Sequence, residues 1–225
     1  MPSSAHEAFL YEFYYQLRSK LSRLCAGDQE LEQFVARIIA HGSADVVGRT
    51  TCDKHQPDNY ITYRAAPTYG LFLEFAWSQN RNKQPELAEF YLLEAKRLTQ
   101  MVIGIDCDSA RTKRVTLRTW RRGNEDHSDT NSGLIEYSQV STSNPVSDDC
   151  LFRRPPQELR SKNGVRVSGR PLRISVLDIV PLEHVPLSLH NATIDFSVDE
   201  LCGILEMAEE QQTLVKAAEG EGVHQ

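Results

Sequence analysis

The spacing of apolar residues along the chain predicts alternating helices and strands. Apolar positions recur every three or four residues at 6–24, 28–42 and 85–99, and this period predicts helices. Ser197-Val198-Asp199-Glu200 is a capping box that opens a further helix through Ala208. Short apolar or alternating runs predict strands at 44–49, 60–63, 71–77, 101–105, 115–120, 172–179 and 188–196. This order predicts an α/β domain.

The polar stretch 123–149 interrupts the pattern. It is rich in Ser, Thr, Asn and Asp, which favours a long loop with a short strand at 134–140. We therefore divide the chain into a core at 1–122, a polar loop excursion at 123–170, and a C-terminal extension at 171–225. No composition break is sharp enough to make the extension an independent domain, so we expect it to pack on the core.

Composition places the chain among ordinary globular proteins. Hydrophobic residues make up 40% and charged residues 25%. The sequence contains no run of eighteen apolar residues, so we expect no membrane-spanning helix. The N-terminal residues lack the pattern of a signal peptide. The chain has five widely spaced cysteines, and this odd number indicates reduced thiols rather than disulfide bonds. We expect an intracellular protein, in the cytoplasm or the nucleus.

The net charge of −6 hides a basic segment. Residues 109–175 hold thirteen Lys/Arg and seven Asp/Glu, a local charge of +6, and the remainder carries −12. Such a segment is either a nucleic-acid contact or a solvated loop face. The overall acidity argues against tight non-specific binding to nucleic acid. The candidate contacts are Arg111, Lys113, Arg114, Arg118, Arg121 and Arg122, and alternation gives Arg114, Arg118 and Arg122 the same parity.

Glu74 is the most unusual residue of the core, because it interrupts an apolar run that predicts a buried central strand. A buried carboxylate needs a cation or hydrogen bonds. If strands 60–63 and 71–77 form a hairpin that turns at Ala66, Asp58 lies directly opposite Glu74. Two facing carboxylates favour a proton or Mg²⁺ between them. Alternatively, Glu74 pairs with Arg49, Arg64 or a buried hydroxyl, and Asp58 is a turn residue.

Two other candidate sets are weaker. Asp106 and Asp108 follow a predicted strand and are expected to be solvated loop residues rather than metal ligands. Cys52 and His55 have zinc-like spacing but lack a second ligand pair, which disfavours a zinc site.

The ordered motifs resemble the PD-(D/E)XK nuclease superfamily, and in particular a group of uncharacterised fungal proteins with that fold. The resemblance covers about residues 44–120 and adds a weaker similarity in the last helix. It implies a restriction-endonuclease-like mixed sheet flanked by helices, with a C-terminal strand-plus-helix extension. The motifs are Pro57-Asp58, then Leu73-Glu74-Phe75-Ala76-Trp77-Ser78-Gln79, and then Val102-Ile103-Gly104-Ile105-Asp106.

The resemblance implies hydrolysis of phosphodiester bonds in nucleic acid. Asp58 and Glu74 would be the ligands of Mg²⁺ or Mn²⁺, and Gln79 would position water or substrate. In the superfamily a Lys lies two residues after the Glu, whereas this chain has Ala76 there. Lys83 or Lys96 could supply the missing charge. The alternatives are a catalytically inactive scaffold of the same fold that binds protein or nucleic acid, and an ordinary interaction domain.

Overall fold

A computed structural model describes residues 3–25, 27–50, 52–77, 83–108, 112–123, 136–138 and 150–221. Within these residues the protein is an α/β fold built on a mixed sheet. The helices are α1 (Ser4–Leu24), α2 (Gln29–Ala36), α3 (Gln84–Glu89) and α4 (Val198–Glu221). The strands are β1 (Ile38–Ala40), β2 (Val46–Val47), β3 (Lys54–His55), β4 (Asn59–Tyr63), β5 (Ala66–Trp77), β6 (Leu98–Cys107), β7 (Val115–Gly123), β8 (Glu136–Ser138), β9 (Cys150–Arg153), β10 (Gln157–Arg160), β11 (Leu172–Ser175) and β12 (Thr193–Phe196).

The main sheet has the strand order β1-β4-β5-β6-β7-β9-β8, and β10 also pairs with β7. Strands β4 and β5 form an antiparallel hairpin. Strand β6 then runs parallel to β5, so the intervening chain with α3 must cross over the sheet. Strand β5 therefore occupies the central, buried position that its apolar run predicts. The α/β class is confirmed.

The hairpin has the predicted register. Asn59 pairs with Leu73 and Tyr60 with Phe72, which is the alignment required to set Asp58 against Glu74. The turn is tighter than predicted, because β5 already begins at Ala66 and pairs there with Tyr63. An irregularity between Thr62 and Tyr63 absorbs the difference.

The two faces of the sheet have separate cores. On the first, which we call the α1 face, Leu71, Leu73 and Phe75 of β5 belong to the large cluster that includes α1 and α4. On the second, the α3 face, Phe72 packs with Trp120 in a smaller cluster under α3 and the π-helical turn Phe90–Glu94. Because side chains alternate along a strand, Glu74 and Ala76 lie on the α3 face with Phe72.

Several predicted elements differ in extent. The helix expected at 28–42 ends at Ala36, because the backbone of Ile38–Ala40 pairs with β4 as strand β1. The helix expected at 85–99 ends early for a similar reason, since Leu98 already pairs with Tyr69 of β5. The capping box is confirmed: the Ser197 hydroxyl accepts from the Glu200 N–H at 3.1 Å, and the Ser197 N–H donates to Glu200 at 2.7 Å.

Beyond the core, the described parts of 123–170 contain β8, β9 and β10, which extend the main sheet beside β7. The hairpin β11–β12 is separate, and α4 packs along α1. An ion pair between buried Arg160 and Glu209 ties α4 to β10. None of the described helices is both long and apolar enough to cross a membrane.

Candidate active site at the Asp58–Glu74 strand pair

The predicted residues Asp58 and Glu74 lie near each other beside the β4–β5 pair. The pairing stops at Asn59 and Leu73, so Asp58 lies just before β4, next to the part of β5 that carries Glu74. The charge of Asp58 is close enough to disfavour ionisation of Glu74. Of the site residues that the resemblance implies, Asp58 and Glu74 are thus neighbours, whereas Gln79 lies outside the described residues.

Asp58 is held in place by two contacts. Its Oδ2 accepts the backbone N–H of Phe75 at 2.6 Å, so the side chain is tied to the neighbouring strand β5. Its Oδ1 lies 2.9 Å from His6 Nε2. The Asp58 side chain keeps 27% of its surface exposed. Asp58 is therefore more than a turn residue, because it links the sheet to α1.

His6 is the site residue that sequence reasoning missed. It lies on the buried side of α1, its ring centroid is 5.8 Å from that of Phe75, and its Nδ1 is 3.3 Å from Glu7 Oε1. Burial opposes its charged form, but hydrogen bonding and attraction to Asp58, with smaller effects from Glu7, outweigh burial and raise the His6 pKa. The raised pKa favours the charged form of His6 beside Asp58. The available signal was a titratable residue in the apolar stripe of α1.

Glu74 is almost completely buried, with 8% of its surface exposed. Burial first, and then repulsion from Asp58, raise its pKa to about 8, while nearby Tyr91 and His6 act in the opposite direction. Glu74 is therefore largely protonated at neutral pH. Within the described residues neither Glu74 Oε1 nor the buried Tyr91 hydroxyl makes a hydrogen bond of ordinary geometry, although Tyr91 is near enough to act on the Glu74 pKa.

The ion-pair alternatives for Glu74 are not observed. Arg49 instead donates its Nε–H to the carbonyl of Ala95 at 2.8 Å. Arg64 lies in the tight turn after β4, where its backbone N–H bonds to Arg37 O. Of the predicted partners, only a buried hydroxyl, that of Tyr91, is near Glu74.

Gln84 covers the sheet beside Glu74. Glu74 pairs with Gly104 of β6, and Gln84, 3% exposed, lies directly above that glycine. The Gln84 amide donates to Ile105 O at 3.2 Å, while its Oε1 has no partner among the described residues. Glu74, Gln84 and Tyr91 thus place three buried, unsatisfied oxygens on one face, an arrangement that normally holds ordered water or an ion.

We expect Gly104→Ala to destabilise the protein by roughly 1–3 kcal/mol, the usual cost of overpacking a core. A Cβ at position 104 would lie 2.9 Å from Trp120 Cζ3 and 3.0 Å from Gln84 Oε1, which leaves no room for a methyl group. Urea denaturation of both proteins measures the difference. Equal midpoints and slopes would mean that Gln84 does not lie over Gly104.

Asp106 corrects a prediction, because it lies inside β6 and is buried rather than being a solvated loop residue. It pairs across β5–β6 with Ala76, on the same face as Glu74. Neither candidate replacement lysine makes a contact with Glu74 or Asp58 among the described residues. Lys83 is exposed before α3, and Lys96 precedes β6, about 26 Å of extended chain from Gly104.

The structure divides the basic run between the two sheet faces. Arg121 is on the α1 face and pairs with Asp178 at 3.0 Å. Arg114 pairs with Glu158 at 3.1 Å at the start of β7. Arg118 and Arg122 lie on the α3 face with Trp120, as their parity predicts. Arg111 lies outside the described residues.

The donor set fits a hard divalent cation in part. Glu74 offers a buried oxygen without a partner and Asp58 a second carboxylate, and Mg²⁺ uses one or two carboxylates plus water. Against this, His6 and Phe75 N–H already engage both oxygens of Asp58, and Glu74 must lose its proton to coordinate. No group of three or more His, Cys, Asp or Glu side chains in the described part of the chain could hold a metal ion.

Comparison of the chain with protein-family models, with curated proteins and with solved structures finds no match.

Proposed function

We propose that the protein is a nuclease-like domain of the PD-(D/E)XK type that hydrolyses phosphodiester bonds in nucleic acid with Mg²⁺ or Mn²⁺. The observation that supports the proposal is the hairpin register, which leaves Asp58 just before β4 and near enough for its charge to raise the pKa of Glu74. In the main sheet, three antiparallel strands, β1, β4 and β5, follow the N-terminal helices and precede α3 and the parallel strand β6, an order that supports the fold the resemblance implies. The specific restriction-endonuclease-like fold is part of this proposal.

In this function Asp58 and Glu74 hold the cation. When bound, a divalent ion would polarise a phosphoryl oxygen and lower the pKa of an attacking water. The Phe75 N–H fixes Asp58, and Glu74 would have to give up its proton to coordinate the ion. The raised pKa of His6 favours a positive charge beside Asp58 on the α1 side of β5, whereas Ala76, at the position of the superfamily Lys, lies on the α3 face. Gln79 remains the residue predicted to position water or substrate.

A second candidate is a catalytically inactive scaffold of the same fold that binds protein or nucleic acid. The contact between His6 and Asp58 favours it, because a side chain already engages the carboxylate that a metal would need. The absence of Lys at position 76 favours it as well.

Cleavage and metal binding, measured together, separate the two candidates. We expect the wild type to cleave labelled single- or double-stranded DNA or RNA with Mn²⁺ or Mg²⁺ and not with EDTA. Asp58→Asn and Glu74→Gln should each lower the rate by roughly 100-fold or more, because a catalytic metal contributes several kcal/mol and each 1.36 kcal/mol is tenfold.

Titration calorimetry with Mn²⁺ in two buffers of different ionisation enthalpy counts the protons released. At pH 7 we expect release of about one proton per ion from the wild type, because Glu74 carries one, and little release from Glu74→Gln. Metal binding without cleavage supports the scaffold. Equal cleavage by the wild type and both variants rejects Asp58 and Glu74 as the site.

A further inference from the structure

The edge of the main sheet beside β7 is interrupted between two strands. Strand β9 pairs with residues 120–123 of β7 and strand β10 with residues 115–117, so the chain between β9 and β10 passes the middle of β7 without strand pairing. Pro155 and Pro156 lie in this interval, and proline has no N–H to donate to a neighbouring strand. A cavity lies at the interruption.

The cavity is on the α1 face, so the sheet separates it from Glu74. Leu117 and Thr119 of β7 line it, and these residues alternate with Arg118, which is on the α3 face. Its volume is about 30 Å³. Roughly 10–15 Å³ of such space holds one water, so the cavity has room for about two or three waters. This space suits a compact ion or end group and is too small for a nucleobase.

The charge of the lining is one-sided. None of the described lining residues is acidic, and four are arginines: Arg121, Arg154, Arg170 and Arg173. Carboxylates outside the lining pair with two of them, Asp178 with Arg121 at 3.0 Å and Asp195 with Arg173 at 2.9 Å. The exposed Arg170 side chain makes no hydrogen bond or ion pair with any described residue. The cavity therefore offers guanidinium N–H groups to an anion.

Hydrogen bonds of the backbone hold the walls of the cavity in place. The Arg154 N–H donates to Thr119 O at 3.2 Å, which ties the interrupted segment to β7. Gln157 donates its amide N–H to Arg170 O at 2.8 Å. The Gln157 side chain packs so closely there that a Cβ on Gly169 would lie 2.4 Å from its Nε2. The backbone that carries Arg170 is thus fixed against β10 before any ligand binds, which lowers the entropic cost of binding.

We propose that this cavity binds the phosphate group of a small phosphorylated molecule, with Arg170 as the leading contact. A phosphate group carries a charge of up to about −2 and three acceptor oxygens, so it can accept planar guanidinium forks from more than one side. The cavity holds one such group, and the net charge of −6 on the chain opposes a longer polyanion. The site is separate from the Asp58–Glu74 pair and does not depend on the proposed function.

Titration calorimetry in EDTA, at constant ionic strength, tests the proposal with ribose 5-phosphate, inorganic phosphate and acetate as probes. We expect the wild type to bind both phosphates and to bind acetate at least about tenfold more weakly. Arg170→Gln should weaken phosphate binding by about tenfold or more, because a charge-assisted contact is lost. Arg64→Gln makes the same change at an exposed arginine three strands away in the sheet, and it should bind within about twofold of the wild type.

Arg170→Lys provides a second readout, because it keeps the charge and loses the fork, so phosphate affinity should recover only in part. Tighter binding of ribose 5-phosphate than of inorganic phosphate would identify an organic phosphate as the ligand, and equal binding would identify the free anion. Equal weakening by Arg170→Gln and Arg64→Gln, equal binding of acetate, or no binding of either phosphate at millimolar concentration would overturn the proposal.

A single-stranded oligonucleotide without terminal phosphates is the last probe. If it binds and Arg170→Gln weakens that binding while neither small phosphate binds, the arginines serve a nucleic acid and the proposal is wrong. Because every measurement is made in EDTA and none follows cleavage, the outcome is independent of the function proposed for Asp58 and Glu74.

Discussion

Glu74→Gln will make the protein more stable than the wild type at pH 8.5 and will change its stability by less than about 1 kcal/mol at pH 4.5. Burial and the charge of Asp58 raise the Glu74 pKa to about 8, from 4.5 in an unfolded chain. Between these pH values the folded protein retains a proton that the unfolded chain releases. Wild-type stability must therefore fall as the pH rises through this window and level off above it.

The size of the effect follows from the same shift. Each pKa unit corresponds to about 1.4 kcal/mol, so the neutral amide should gain roughly 3–5 kcal/mol over the wild type at pH 8.5. Urea denaturation of both proteins in EDTA, at half-unit steps from pH 4.5 to 9, measures the difference. Titratable groups that do not interact with Glu74 cancel in this comparison.

A matched control makes the same chemical change at an exposed position. Glu210→Gln on α4 should show a stability difference that stays flat across the pH range, because this side chain is solvated in both states. A flat difference for Glu74→Gln as well would mean that Glu74 is ionised in the folded protein. The proton release expected on Mn²⁺ binding would then be absent too.

The proximity of Asp58 and Glu74 could be predicted from sequence, because it follows from the local pairing of two strands joined by a short turn. The alternation of side chains and a turn near Ala66 fix one register, and this register sets Asp58 against Glu74. The His6 contact could not be predicted in the same way. It joins the first helix to the residue just before β4, and the direction in which α1 crosses the sheet depends on tertiary packing.

The same limit explains the missed strand β1. Ile38 and Ile39 continue the apolar period of α2, so their pattern is compatible with a helix. Their backbone instead pairs with Tyr63 and Thr62 of β4, and only the position of that strand decides the outcome. For Asp106 the sequence favoured a solvated residue, because a polar residue at a strand end is usually exposed. In the structure it pairs with Ala76 and is buried beneath the α3 layer.

Gly70→Ala should cost roughly 3 kcal/mol or more of folding free energy, beyond ordinary overpacking, because the obstacle is backbone. Gly70 lies in β5 opposite Thr62 of β4. The pairing register shifts next to it on both sides, between Thr62 and Tyr63 in the β4–β5 pair and between Gly70 and Leu71 in the β5–β6 pair. A Cβ on Gly70 would lie 2.1 Å from the carbonyl oxygen of Ile61. That oxygen cannot rotate away, so the hairpin itself must shift.

The control for Gly70→Ala is Gly203→Ala in α4. A Cβ there meets nothing within 4 Å, and Ala is favoured over Gly inside a helix by roughly 0.5–1 kcal/mol, so this variant should be slightly stabilised. Urea denaturation measures both variants against the wild type. Because Gly70 permits the close approach that sets the hairpin register, a Gly70→Ala protein as stable as the wild type would remove the structural basis for pairing Asp58 with Glu74.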